Sequence, residues 1–79
     1  MSINYPGLAE DVVKLGVPRK ELSLFTGVSY GVLSHWLNGF SALTESNMLR
    51  ISDAVDVYRG KMTQKTYKKK YNRVHNISL

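Results

Sequence analysis

"GVSYGVLSHWLNG", residues 27–39, decides how this chain is read. Gly27, Val28 and Ser29 lead into apolar residues at helical spacing, and Asn38 and Gly39 end the run. Ser29 is a good N-cap, because its hydroxyl can accept a bond from an otherwise unpaired backbone N–H of the first turn. Leu33 and Trp36 stand three apart and share one side with Val28. Tyr30, Gly31, Ser34 and His35 fall on the other. The spacing therefore predicts a helix over about residues 29–38, anchored by an apolar inner face and presenting a polar outer one.

The segments on either side read as helix too. Upstream, Pro18 opens a helix running to about Thr26, with Leu22 and Phe25 turned inward, and Gly27 breaks it. A first helix is expected from about Pro6 to Leu15, with Leu8, Val12 and Leu15 on one face and Gly16 closing it. Downstream, Thr44 caps a fourth helix whose stripe is Met48, Ile51, Ala54 and Val55. Tyr58, Met62, Tyr67, Tyr71 and Val74 could line a fifth helix, although Gly60 and the lysine cluster argue against a long rigid one. Alternating β-branched runs are missing. The expected architecture is an all-α bundle of four to five short helices. Residues 1–58 form one domain, and residues 59–79 form a basic C-terminal tail that is either a fifth helix or an arm.

Two short helices joined by a tight glycine turn make a helix-turn-helix, which can set its second helix in a DNA major groove. Gly27 supplies tolerance of positive φ at the bend. Ser23, four residues earlier, is small where the second helix must cross closely.

The run "PRKELSLFTGVSYGVLSHWLNGFSALTESNMLRISDAVDV" resembles the DNA-binding domain of the Cro/CI-type (XRE-like) phage repressor family. Gly27-Val28-Ser29, Leu33-Ser34, Trp36 and Asn38-Gly39 stand in that family's order, and the resemblance spans roughly residues 5–58 without a gap. It implies a lambda-repressor-like fold and a set of roles. Arg19, with Lys20 beside it, would touch phosphate. Ser29, Tyr30 and Gly31 would read base edges, with Ser34 and His35 one turn later. Asn38 and the loop residue Ser41 would contact the sugar-phosphate chain. The sequence also departs from the pattern. The outer face has no Arg, Gln or Lys, the side chains that make the strongest bidentate base contacts. Leu24 and Leu37 occupy places usually polar in the family, which suggests a partner or a packed tail, and Leu43 replaces a frequent proline.

Charge is divided unevenly. Residues 1–58 carry four basic and six acidic side chains, a net of −2, whereas residues 59–79 carry seven basic side chains and no acid. Such asymmetry points to a polyanionic partner for the tail. Lys61, Lys65, Lys68, Lys69, Lys70 and Arg73 are its candidate phosphate contacts. A dimer making ~6–10 phosphate contacts loses about 10³–10⁵ in affinity between ~50 and ~200 mM salt. On this reading a cut near Gly60 removes most DNA affinity and leaves the fold intact. A compatible reading makes Tyr67, Tyr71 and Val74 a helical stripe for dimerisation.

Other classes find little support. No cysteine is present, so thiol chemistry and Cys-ligated zinc are excluded. No apolar run approaches ~18 residues and no export signal is recognisable, which predicts a protein of the bacterial cytoplasm or nucleoid. His35 has no second metal ligand nearby, His75 lies in the tail, and Trp36 is aimed at the core rather than at a stacked base. No nucleophile–base arrangement or phosphate-cradling glycine loop occurs, so neither an enzyme nor a cofactor is expected. The tail's tyrosines do not make a membrane-surface helix. The expected function is a sequence-specific transcriptional regulator of double-stranded DNA, acting as a homodimer. A rival reading is an antirepressor or adaptor that engages another repressor, or polymerase, through the same face and the leucines at 24 and 37.

Overall fold

The computed structural model describes residues 7–71 of the 79-residue chain. Among the described residues run five helices and no strand: α1 (Leu8–Leu15), α2 (Arg19–Thr26), α3 (Tyr30–Leu37), α4 (Glu45–Tyr58) and α5 (Gln64–Tyr71). The 14-residue α4 is the strut of the bundle. Helices α1, α2 and α5 pack on it, and α3 packs across α2.

Each element follows from local chemistry. Leu8 and Val12, one turn apart, are the buried face of α1. That helix starts at Leu8 behind Gly7; Pro6, expected at its start, lies outside the described residues. Leu22 and Thr26 are the buried pair of α2. Thr26 is satisfied inside the core, since its hydroxyl donates to Leu22 O at 2.8 Å and accepts from Val28 N–H at 3.2 Å. Thr44 caps α4 by accepting from Asn47 N–H at 3.2 Å, and Ile51, Ala54 and Val55 carry its buried stripe. Thr63 does the same for α5, accepting from Thr66 N–H at 3.1 Å.

The core comprises Leu8, Val12, Leu22, Val28, Leu33, Leu43, Ile51, Ala54, Val55 and Tyr67. Two readings from the sequence are corrected, for Leu37 and for the tyrosines of the tail, and Leu43 finds its place. Leu37, expected to be exposed, is half-buried against the core, because α3 turns that side toward the bundle. Leu43, in the place of a frequent proline, is a core residue. Tyr67 and Tyr71 are not a stripe standing clear of the bundle. Tyr67 is only 3% exposed and stacks on Phe25 at 4.6 Å between ring centres, and Tyr71 lies 4.7 Å from Tyr67. Val74, the third member of that stripe, lies outside the described residues. The basic segment thus enters the bundle through α5, and its tyrosines complete the core that α2 and α4 leave open.

Polar ties hold these packings in register. Arg50 on α4 donates to Thr26 O at 3.1 Å, pinning α4 to the end of α2. The Tyr58 hydroxyl donates to the Glu21 carboxylate at 3.1 Å, and Lys70 and the Tyr71 hydroxyl both donate to Asp53. Burial is the main reason that all three phenols resist ionisation, with the neighbouring carboxylates adding to it. Tyr67 is pushed up from 10.0 to about 12, the Arg50 charge opposing and the Asp53 charge assisting. Because the folded state holds these protons more tightly than the unfolded chain, their contribution is complete below about pH 10 and is lost as pH rises toward about 12. Urea midpoints followed by circular dichroism are therefore expected to stay level up to pH ~9.5 and fall steeply above it. A flat profile up to pH ~11.5 would contradict the burial of Tyr67.

Candidate nucleic-acid interface

The bend between α2 and α3 is fixed by four hydrogen bonds around one left-handed residue. Gly27 has φ 79° and donates its N–H to Ser23 O at 2.8 Å. The Ser23 hydroxyl donates to Val28 O at 2.6 Å, while Val28 N–H goes to Thr26. Ser29 then caps α3 by accepting from Val32 N–H at 3.2 Å. With Leu33 fully buried and Trp36 packed against the core, the inner side of α3 is anchored and its outer side is set by default.

On that outer side Tyr30 is 53% exposed, and Ser29, Gly31 and His35 are exposed as well. A Cβ at Gly31 would meet nothing within 4 Å, so packing does not require a glycine there. Its effect is to leave a notch one turn before His35. Ser34 is half-buried beneath Arg19, whose guanidinium donates to the Ser34 hydroxyl at 2.9 Å and to Asn38 Oδ1 at 3.4 Å. One forked cation on the first turn of α2 therefore bridges two turns of α3. Asn38 and Ser41 are exposed at the far end of α3 and in the loop beyond it.

Pro18, Arg19, Lys20 and Tyr30 line a shallow cleft of about 570 Å³ between the starts of α2 and α3. No side chain caps α2, so the N–H groups of its first turn point outward beside Arg19 and the exposed Lys20. Unpaired N–H groups at a helix start, with two cations alongside, suit a phosphate.

Two residues of this surface escaped the sequence reading. Phe40 is 78% exposed and stands edge-on to His35, with ring centres 6.2 Å apart. Its position was foreseeable from the end of α3, where Phe40 N–H bonds to His35 O at 2.8 Å and Gly39 N–H to Trp36 O at 3.0 Å. That two-bond ending commonly brings the residue after the glycine against the side chain five back. Val32, also exposed, adds an apolar patch on the same helix.

The basic residues are more scattered. Lys61, Lys65, Lys68 and Lys69 are exposed, and Lys68 is brought beside Thr26, Gly27 and Arg50 near the bend. Lys70 is exposed but pairs with Asp53 at 2.8 Å, so a phosphate would have to compete with that carboxylate for it. Arg73 lies outside the described residues. Among the described residues no group of three or more His, Cys, Asp or Glu side chains could hold a metal, and no helix is long and apolar enough to cross a membrane.

No curated protein and no solved structure matches the chain significantly. A family model described as "Helix-turn-helix" does match, over residues 8–62, a span that takes in α1 to α4 and the geometry just given. The chain thus belongs to the helix-turn-helix family of DNA-binding regulators that includes the Cro/CI repressors.

Proposed function

We propose that the chain is a sequence-specific transcriptional repressor of the phage or mobile-element type, acting as a homodimer on double-stranded DNA. The observation that carries this reading is the outer face of α3. Tyr30, Gly31 and His35 are open to a groove, and the Arg19 bridge to Ser34 and Asn38 stiffens the same face. Arg19, Lys20 and the uncapped start of α2 seat one phosphate, and Asn38 and Ser41 another. These contacts set the register, and α3 supplies the base reading.

Without Arg, Gln or Lys on that face, discrimination falls to shorter or weaker groups. The Tyr30 hydroxyl and the His35 ring nitrogens can bond base edges, while Val32, Phe40 and the Tyr30 ring offer apolar contact to thymine methyl groups. Two copies would place their α3 helices about 34 Å apart in successive major grooves and obstruct polymerase by occupancy.

Selection of bound sites from a random DNA pool tests this. The expected product is a palindrome with half-sites centred ~10 base pairs apart. A pool that remains random at ~50 mM salt overturns the reading and favours the protein-binding rival, which the exposure of Leu24 supports. On the selected site, Tyr30→Ala and His35→Ala should each lower the preference over a scrambled duplex by roughly 2- to 10-fold, the worth of a single ordinary hydrogen bond, and alter non-specific affinity little. Equal losses on both duplexes would remove these residues from base reading.

A further inference from the structure

Leu24 is the most exposed large apolar side chain of the described structure, at 81%. It sits mid-way along α2 between two clefts, of about 370 and about 540 Å³, and with Phe25 it lines both. The two clefts share Leu24 and Phe25 and are bordered by α4 and α5, and together they make a groove along α2 that Leu24 interrupts. One end is bounded by Glu21, Tyr58 and Gln64, and the other by Gly27, Arg50 and Lys68.

The two ends carry opposite charge. At the first, the Glu21 carboxylate is held in place by the Tyr58 hydroxyl at 3.1 Å. At the second, Arg50 is committed to Thr26 O and lies over the Tyr71 ring, with its carbon 5.2 Å from the ring centre. Lys68 is the exposed, longer-reaching cation there, and it stands beside the Arg50 charge that repels it. An apolar centre with an acid at one end and a base at the other is self-complementary. A two-fold axis through the centre reverses the groove and sets each acid against a base.

We infer that this groove is the face on which two copies of the chain pair, each Leu24 packing into the other copy's groove and Lys68 meeting Glu21 of the partner subunit. Tyr30, Gly31, Ser34 and His35 do not line the groove, so the pairing draws on no side chain of the outer face of α3. The inference rests on the homodimeric part of the proposed function and gives it a location.

The test is sedimentation equilibrium of the full chain without DNA, from ~1 to ~500 µM. The wild type should show a monomer–dimer equilibrium. Leu24→Asp should weaken it by at least about thirtyfold, as truncating a buried anchor does. Glu21→Lys and Lys68→Glu should each weaken it, and the two together should recover most of the loss. All three positions of change, 21, 24 and 68, carry exposed side chains, and thermal melts of each of the four variants check that the monomer remains folded. A chain that stays monomeric at every concentration overturns the inference and leaves the groove to a different protein. So does a Leu24→Asp dimer of wild-type strength, or a double variant no better than the singles. DNA binding is measured separately at ~50 mM salt, where a folded monomeric variant should still recognise a half-site, so failure of the interface and failure of the DNA-binding reading give different results.

Discussion

Replacing Tyr67 with alanine should cost about 3–4 kcal/mol, the range for removing a large buried aromatic ring. A domain of this size is stable by only ~4–12 kcal/mol, so the variant will be partly unfolded at moderate temperature. The cause is specific. Tyr67 is packed against the Phe25 ring and the Tyr71 ring, and it is the one core residue contributed by α5. Removing it opens the seam between α2 and α5, and α5 then has only Tyr71 and its bonds to Asp53 to hold it down. Tyr67→Phe is the control. It keeps the ring and loses one long bond, to Arg50 O at 3.4 Å, so its urea midpoint should stay close to wild type. A Tyr67→Ala midpoint equal to wild type would show that α5 is not part of the cooperative unit. The fold is therefore not expected to survive a cut near Gly60, contrary to what the tail's composition suggests. A chain cut near Gly60 loses Tyr67 and Tyr71 together, so it should lose the cooperative fold along with DNA affinity. The tail's contribution to binding is therefore better measured by replacing Lys61, Lys65 and Lys69, which are exposed, than by truncation.

Arg19→Ala should weaken binding to the selected operator roughly tenfold or more per half-site, the usual effect of losing hydrogen bonds from a charged group. It should also make the slope of log affinity against log salt shallower by about two per dimer, one released counterion for each lost phosphate contact. Arg19 acts in two ways. It lines the cleft proposed to seat a phosphate, and its fork spans Ser34 and Asn38, coupling the start of α2 to α3. Arg19→Lys separates these contributions. A lysine keeps the charge as a point but cannot bridge both partners. Its salt slope should match wild type while its affinity falls between wild type and alanine. An alanine variant with unchanged affinity and slope would remove Arg19 from the interface.

Much of the geometry of the proposed interface was legible in the sequence. The bend at Gly27, the caps at Ser29 and Thr44, and the anchoring of α3 through Val28, Leu33 and Trp36 all depend on residues within a few positions of one another. Tyr30, Gly31 and His35 followed as the exposed remainder of the same helix. Ser34 was harder to place, because its hydroxyl accepts from Arg19, fifteen positions earlier. The contact of Phe40 with His35 could have been read from the Asn38-Gly39 ending alone.

The chain's local chemistry determined its helices, its turn and the polarity of each helical face, since φ preferences, caps and one-turn spacings operate within a segment. Tertiary structure decided what each face meets. It turned Leu37 inward and left Leu24 in solvent, drew Tyr67 out of a lysine run into the core, and engaged Lys70 with Asp53, seventeen positions away. Those outcomes depend on which distant element stands opposite a side chain. Spacing along a single helix carries no record of that.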